Sequence, residues 1–535
     1  MRSSRRDFLR GAGFALLSPA AAHGRTAPEL QGLHVSNGWR PFAGDGPLLA
    51  TVTPRRRGRA VVSFRLAVPA RVTMEAVRTE TIRVGRPAGE VVWQTQRALQ
   101  AGAHELAWEP GAAVQPRTYL LRLTVETAAG RSVYGGRPPG ARADAPVVRV
   151  QGVDVATGRR SFAPGEPTDL LISTDARSLR VQVFHYGGSV RPADRDLRTN
   201  GLAVTPPVTV DWQAHRDAPG RLRLLRAGEW QSGLYFARVT ADDGRVGYAP
   251  FILRPRRLGT ERVAVVLATN TWQAYNFHDA DGDGWGDSWY VSDRLRSIDL
   301  TRPYLDFGVP FRFRDWDLTF IAWVNRTEKR VEYLSDDDLE AVETGERLRA
   351  SYDLIVFPGH EEYVTARMYD VVERYRDLGG NLLFLSANNF FWRVRRDGRR
   401  LVRERLWRDV GRPESGLAGV QYVGSDNGQR QGGYVVTATD AGGWAFAGTG
   451  LSAGAAFGRF GIEIDARTAS SPPGTEVVAR IADLMGPGRS AEMTYYETAA
   501  GARVFAAGAL NFAAAIDSPE VSRLVDNVWA RLAQP

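Results

Sequence analysis

Tyr352-Asp353-Leu354-Ile355-Val356-Phe357-Pro358-Gly359-His360-Glu361-Glu362-Tyr363 is the stretch on which the fold of the C-terminal half turns. Its first six residues are nearly all apolar, as a strand buried on both faces requires. Beyond the polar loop, Val364, Met368, Val371, Val372, Tyr375 and Leu378 recur at helical spacing. Gly379-Gly380 ends that helix, and Asn381 to Leu385 reads as the next strand. Strand, helix and strand of this length form a βαβ unit, so the sheet is at least partly parallel. Upstream, Arg262 to Ala268 is a second near-continuous apolar run. An α/β domain is therefore expected over residues 259–535, mostly strands and loops after about residue 395 and closing in a helix from about Pro519 to Leu532.

The N-terminal half has a different period. Residues 28–257 alternate like strands, with frequent turns and little helical spacing. One segment occurs twice: Tyr119-Leu120-Leu121-Arg122-Leu123-Thr124-Val125 is echoed by Tyr235-Phe236-Ala237-Arg238-Val239-Thr240-Ala241. Each copy follows a tryptophan (Trp108, Trp230) and runs into a Gly-Arg turn (Gly130-Arg131, Gly244-Arg245). Two β-sandwich modules of Ig-like type are expected, at 28–145 and 146–257, divided where Pro and Gly cluster between Pro139 and Ala145. Their expected roles are to position or shield the C-terminal domain, or to contact a glycan or the cell wall.

The first 26 residues read as an address. Ser4-Arg5-Arg6-Asp7-Phe8-Leu9-Arg10 is a twin-arginine signal, followed by a short apolar stretch to Leu17 and small residues up to Ala22. That stretch is too short to span a bilayer, and the mature protein is expected to be periplasmic or extracellular without a membrane span. The absence of cysteine excludes disulfides, thiolate metal sites and cysteine nucleophiles. The formal charge of +9 falls to about +6 once Arg2, Arg5, Arg6 and Arg10 less Asp7 are removed. Lys329 is the single lysine, so the basic residues are almost all arginine, a base-composition bias rather than a polyanion-binding surface. Neither Arg55-Arg56-Arg57 nor Arg395 to Arg400 carries interleaved aromatics or a groove-reading helix, and no nucleic-acid partner is expected. In the second run Asp397-Gly398 reads as a two-residue hairpin turn with solvated arms.

In open α/β sheets the ligand crevice lies beyond the carboxyl ends of the strands. Thr269 to Asn276, Gly359 to Tyr363 and Ser386-Ala387-Asn388-Asn389-Phe390 each follow a strand and so share that edge. With Ser288-Trp289-Tyr290 they supply phenols, carboxylates and a histidine. Phenol and carboxylate oxygens of this kind are hard donors suited to a trivalent ion. His360 or Glu361 would move a proton to a departing amine, and Asn388 would hydrogen-bond a developing oxyanion. Ordinary roles remain open for each: the tyrosines as buried phenols, His360 and Glu362 as caps of the following helix, Glu463 as a structural carboxylate. Ser386 lies in no Gly-x-Ser-x-Gly elbow, which argues against a serine nucleophile. Asp279-Ala280-Asp281-Gly282-Asp283-Gly284-Trp285-Gly286-Asp287 follows the spacing of a calcium loop, with Asp279, Asp281, Asp283 and Asp287 as ligands. Its twelfth position is Tyr290 rather than glutamate, so calcium would fix that tyrosine in place.

Four pieces carry a family resemblance: Trp272-Gln273-Ala274-Tyr275-Asn276, Gly359-His360-Glu361-Glu362-Tyr363, Leu385-Ser386-Ala387-Asn388-Asn389-Phe390-Phe391-Trp392 and Phe457-Gly458-Arg459-Phe460-Gly461-Ile462-Glu463. Here the chain resembles the C-terminal domain of the large (beta) subunit of N,N-dimethylformamidase, over about half its length and with the β modules outside the match. The resemblance implies a single iron held by Tyr275, Glu362 and, as second tyrosine, Tyr290, with His360 and Asn388 beside it. Glu361 and Asn389 stand where relatives often carry proline and glycine.

The expected architecture is multidomain: two Ig-like sandwiches, then an α/β domain with a partly parallel sheet of glutamine amidotransferase-like or flavodoxin-like kind. The expected function is an exported metal-dependent hydrolase of C–N bonds in a small amide, with iron and calcium as cofactors. The alternative is a non-catalytic, calcium-stabilised protein that binds glycan or another protein. A glutamine amidotransferase-like reaction is a weaker third reading, since its usual cysteine is missing. Association into a homo-oligomer stays open.

Overall fold

The computed structural model describes residues 30–534, apart from positions 54, 57, 80–81, 84–85, 88, 136–143, 188–200, 291–294 and 438–441. The signal segment at 1–26 lies outside the described residues. The described chain is β-rich and multidomain, with several sheets of mixed parallel and antiparallel pairing and few helices.

Residues 30–150 form a three-stranded sheet (Leu30–Ser36, Ala60–Leu66, Gly102–Trp108) and a six-stranded sheet around Arg117–Thr127. Alternate side chains of the two, among them Val62, Phe64, Leu121 and Leu123, meet in one core. The next unit repeats the plan, with Asp154–Thr157, Pro167–Ser173 and Gly220–Arg226 in one sheet and Gly233–Ala241 central to the other. In both units an edge strand pairs in parallel beside the last strand: Leu49–Val52 with Val147–Val150, and Ser161–Phe162 with Val246–Leu253. The echoed tyrosines occupy the two central strands. Tyr119 donates its hydroxyl to the Gln115 carbonyl at 3.0 Å, and Tyr235 donates to the Gln231 carbonyl at 2.8 Å. Because Val147–Val150 belongs to the first unit, that unit runs past the Pro/Gly cluster at 139–145.

The C-terminal unit is built on β1 (Val263–Leu267), β2 (Glu332–Ser335), β3 (Leu354–Phe357), β4 (Asn381–Phe384) and β5 (Arg503–Ala506), all parallel and in spatial order 2-1-3-4-5. Four antiparallel strands, from Ala491–Glu497 outward, extend it to nine. The helices used below are α1 (Thr269–Ala274), α2 (Asp336–Ala341), α3 (Ala366–Asp377) and α4 (Pro519–Leu532). Val263, Val265 and Leu267 face the Leu318–Arg326 helix and α4. Ala264, Val266 and Phe357 face Met368 and Val372 of α3. Both faces are covered, so β1 and β3 are apolar throughout.

Thr365 caps α3 by accepting the Met368 N–H at 3.2 Å, and Gly379, at φ +87°, ends it. Tyr363–Thr365, partly inside the helix expected from spacing, is instead a short strand paired with Trp392–Val394. The hairpin after it turns at Gly398-Arg399, one residue later than expected, because Asp397 still pairs with Arg400 and Gly398 takes the positive φ of +55°. In one arm Arg396 pairs with Asp337 at 2.5 Å, and at the turn Arg399 pairs with Asp299 at 2.8 Å.

The second β unit shares a core with the C-terminal unit. Phe184, Tyr186, Phe236 and Tyr248 join the cluster on the β1 face, with the Tyr186 and Phe313 rings 5.4 Å apart. Among the described residues no helix is long and apolar enough to cross a membrane.

Candidate functional site

The strand order reverses between β1 and β3, so the chain leaves these neighbours toward opposite edges and a crevice opens at their carboxyl ends. α1 leaves β1 at once and is capped by Tyr275. Pro358 to Glu362 follow β3, and Leu385 to Asn389 follow β4. Each expected motif thus reaches the same edge.

Tyr275, 1 % exposed, donates its hydroxyl to the carboxylate of Glu362, which is fully buried. His360 lies beside them with Nε2 3.7 Å from Glu362 Oε2 and 3.5 Å from Glu463 Oε2. Among the described residues neither ring nitrogen of His360 has a hydrogen-bond partner, although the residue is buried. Asn388 donates from Nδ2 to Glu463 Oε2 at 2.7 Å, and its backbone N–H lies 2.9 and 3.0 Å from the two Asp465 oxygens. Tyr290 packs its ring 5.0 Å from that of Tyr275, at 75°, and donates its hydroxyl to Asn427 Oδ1 at 3.3 Å. Phe311 and Trp316 complete an aromatic wall around Tyr275, and Trp316 meets His360 edge-on at 5.6 Å.

Backbone strain gathers here. Asn388 (φ +56°), Phe390 (+56°), Asn427 (+58°) and Ile462 (+70°) are non-glycine residues in the left-handed region, and all adjoin this group. For the β-branched Ile462 that conformation is costly, about 1–3 kcal/mol. It persists where surrounding contacts hold it, and here it aims the neighbouring Glu463 at His360 and Asn388.

Glu361 goes elsewhere. Its carboxyl meets Asp336, the first residue of α2, with Asp317 nearby. Burial, then the adjacent Asp336 charge, raises Glu361 well above the usual carboxylate range. Asp336 is pushed up to about 6 by burial, despite accepting the Asn270 N–H at 2.5 Å. Burial also pushes Asp317 up to about 7, although Trp272 Nε1 donates to it at 3.3 Å. Gly359 is required beside it, since a Cβ there would collide with the Asp317 carboxylate. The two departures from the family pattern touch: the Glu361 N–H, which proline would lack, donates to Asn389 Oδ1 at 3.2 Å. Burial pushes Asp465 up to about 8.

The donor chemistry suits a hard cation. A phenol is directed onto a carboxylate, a second phenol stacks beside it, and a buried imidazole faces two carboxylates with both nitrogens unmatched. Burying Glu362, Glu463 and Asp465 in one wall has to be offset by protons or by a cation.

The aspartate-rich loop forms a second group. One carboxylate oxygen each from Asp279, Asp281 and Asp283 lies within 4.8 Å of the others. Asp287 instead accepts the Ala280 N–H at 2.9 Å and faces Arg302 at 3.9 Å. Asp279 is buried and accepts the Gly282 and Gly284 N–H groups at 2.7 and 3.0 Å, yet burial, Asp283 and Asp281 together raise it well above its ordinary value. The loop rests on the first β unit: Thr79 donates to the Gly284 carbonyl at 2.6 Å, and Trp285 packs with Val77, Leu120 and Val147.

The structure therefore joins Tyr275, Tyr290, Glu362, His360 and Asn388, groups three of the four loop aspartates, and takes Glu361 away to α2. Glu463, which the sequence marks only through the Phe457–Glu463 motif, enters the centre rather than serving as a remote structural carboxylate. Asp317, Asp336, Asp465 and Asn427 had no local signature.

No curated protein matches this chain. Among solved structures, Escherichia coli alpha-2-macroglobulin is similar at 11% identity and TM-score 0.22, over 43% of this chain and 16% of that one. Red sea bream transglutaminase is similar at 11% identity and TM-score 0.18, over 43% and 32%. This chain spans less than a third of either, and likenesses this low carry no argument. The profile described as N,N-dimethylformamidase beta subunit-like, C-terminal, matches residues 208–526. The match starts inside the second β unit rather than near residue 259, and it takes in the strands whose Leu234, Phe236, Tyr248 and Ile252 share the C-terminal core. More than half of the chain is covered, and the chain belongs to the N,N-dimethylformamidase beta subunit-like family.

Proposed function

We propose that this protein is an exported, metal-dependent hydrolase of the C–N bond in a small amide. The observation that carries the reading is the Tyr275 phenol seated on the buried Glu362 carboxylate, beside a His360 ring with two unmatched nitrogens. Tyr275, Glu362 and Tyr290 are the proposed donors to a single iron ion. Bound there, iron supplies Lewis acidity that polarises an amide carbonyl and acidifies a water.

The remaining roles follow from the residues. Tyr275 would hold the ion as its phenolate, and His360, between Glu362 and Glu463, would take up or pass on the proton released. Asn388 commits one amide hydrogen to Glu463 and keeps the other for a carbonyl oxygen. Glu361, turned toward Asp336, is not assigned the proton transfer expected of it. The wall of Phe311, Trp316 and Tyr290 favours an amide with few atoms and apolar substituents. The Asp279-Asp281-Asp283 group is the proposed calcium site, where a cation would offset the charge crowded on buried Asp279.

Two architectural readings belong with this proposal. The strand order 2-1-3-4-5 supports a flavodoxin-like or amidotransferase-like sheet. The matched tyrosine hydrogen bonds support Ig-like kinship for both β units. The non-catalytic, glycan-binding reading has Trp39 in its favour, 64 % exposed and available to stack on a sugar. Metal analysis of the purified protein with a visible spectrum separates the two. About one iron per chain with a tyrosinate band supports the hydrolase, and calcium alone without colour supports the binding protein.

A further inference from the structure

The second β unit reaches toward the centre through one buried side chain. Arg160 precedes Ser161–Phe162 and is 7 % exposed. Its guanidinium forks onto Asp337, with Nε donating to Oδ2 at 2.8 Å and Nη2 to Oδ1. The third arm, Nη1, donates to Asn270 Oδ1 at 2.7 Å, and both residues are buried. A guanidinium can only donate, so it fixes which end of the Asn270 amide faces it. Asn270 Nδ2 is thereby turned to donate to the Tyr363 carbonyl at 3.0 Å. The next residue, Thr271, accepts the Glu362 N–H on its hydroxyl at 3.2 Å. Four residues further on, Tyr275 caps the same helix and donates to the Glu362 carboxylate.

α1 and the Glu362-Tyr363 peptide are thus joined at three points, and the polarity of the first is set from another unit. We propose that Arg160 is a positioning residue for the Tyr275–Glu362 donor pair, making the second β unit a working part of the centre rather than a spacer. This rests on the iron-hydrolase reading. Arg254, from the same unit, is the natural control: it pairs with Asp338 at 3.3 Å and Glu166 at 3.2 Å and, among the described residues, makes no hydrogen bond to α1.

The test uses the full chain loaded with ferric iron, comparing wild type, Arg160→Gln, Arg160→Lys and Arg254→Gln by iron affinity, the tyrosinate charge-transfer band and thermal melting. Arg160→Gln is expected to weaken iron binding by about 10–100-fold, the usual effect of removing a partner that orients a ligand, and to move the band. Arg160→Lys should recover part of both, and Arg254→Gln should lower melting with the band in place. Should Arg160→Gln fail to fold, Asn270→Ala keeps the charges of the seam, cuts the same relay and is expected to show the same loss. A wild type without the band overturns the iron reading and this inference with it. A wild type with the band, alongside Arg160→Gln or Asn270→Ala proteins of unchanged affinity and spectrum, overturns the inference alone.

Discussion

Two acidic groups lie within one fold and are assembled in opposite ways. The loop group takes Asp279, Asp281 and Asp283 from five consecutive residues, and the turn itself sets their spacing. The centre takes Tyr275, Glu362, Asn388 and Glu463 from four separate segments, with a sequence separation of 87 for the first pair and 75 for the last. A contiguous group needs only local backbone geometry, whereas a scattered one exists only once the sheet has formed. The loop still depends on packing in one respect, because Thr79 and Leu120 of the first β unit hold it in place.

The sharpest way to break this contrast is Glu362→Gln. At the proposed centre it should lower iron affinity by at least about 100-fold, beyond the range seen for outer partners, and abolish the tyrosinate band. Iron bound as in wild type would place the centre elsewhere. Next in size is the loop: chelating calcium should lower the melting temperature of wild type and leave that of Asp279→Asn unchanged. At a free concentration 100-fold above Kd the ion would contribute about 2.7 kcal/mol. Melting of wild type that is insensitive to chelation would leave the loop as an acidic turn.

A smaller effect concerns pH. Burial raises Asp465 to about 8, Asp317 to about 7 and Asp336 to about 6, so each holds its proton more tightly in the fold than in the unfolded chain. The folded state then binds more protons than the unfolded chain above about pH 4, and stability falls as pH rises through these values. Iron-free wild type is expected to lose melting temperature between about pH 4 and pH 8, and Asp465→Asn to lose less. Equal slopes would mean that Asp465 ionises freely. The smallest effect is Thr79→Val, which strips the buried Gly284 carbonyl of its donor and should cost about 1–2 kcal/mol by urea midpoint at unchanged slope.

Much of this architecture was legible from periodicity. Val263–Leu267 and Leu354–Phe357 are apolar because both faces are covered, and α4 begins and ends where its apolar stripe does. The repeated Tyr119 and Tyr235 segments mark equivalent central strands for the same reason. Misreadings fell where tertiary pairing overrode local pattern. Val364 fits the helical stripe, yet its backbone pairs with Arg393. Glu361 follows His360 in sequence, but the loop turns tightly, with the Glu361 and Glu362 N–H groups bonded back to the Gly359 and His360 carbonyls, and the two side chains part, one to Glu463 and the other to Asp336.

Helical and strand periods, the twin echo, the loop aspartates and the order of motifs after strands are chain-local signals, readable because they act within a dozen residues. The meeting of Asn388 with Glu463, the approach of Glu361 to Asp336, and the reach of Arg160 to Asn270 across 110 residues are set by strand order and unit docking. A side chain's partner across a sheet depends on which strands become neighbours, and that choice belongs to the whole core rather than to any segment of it.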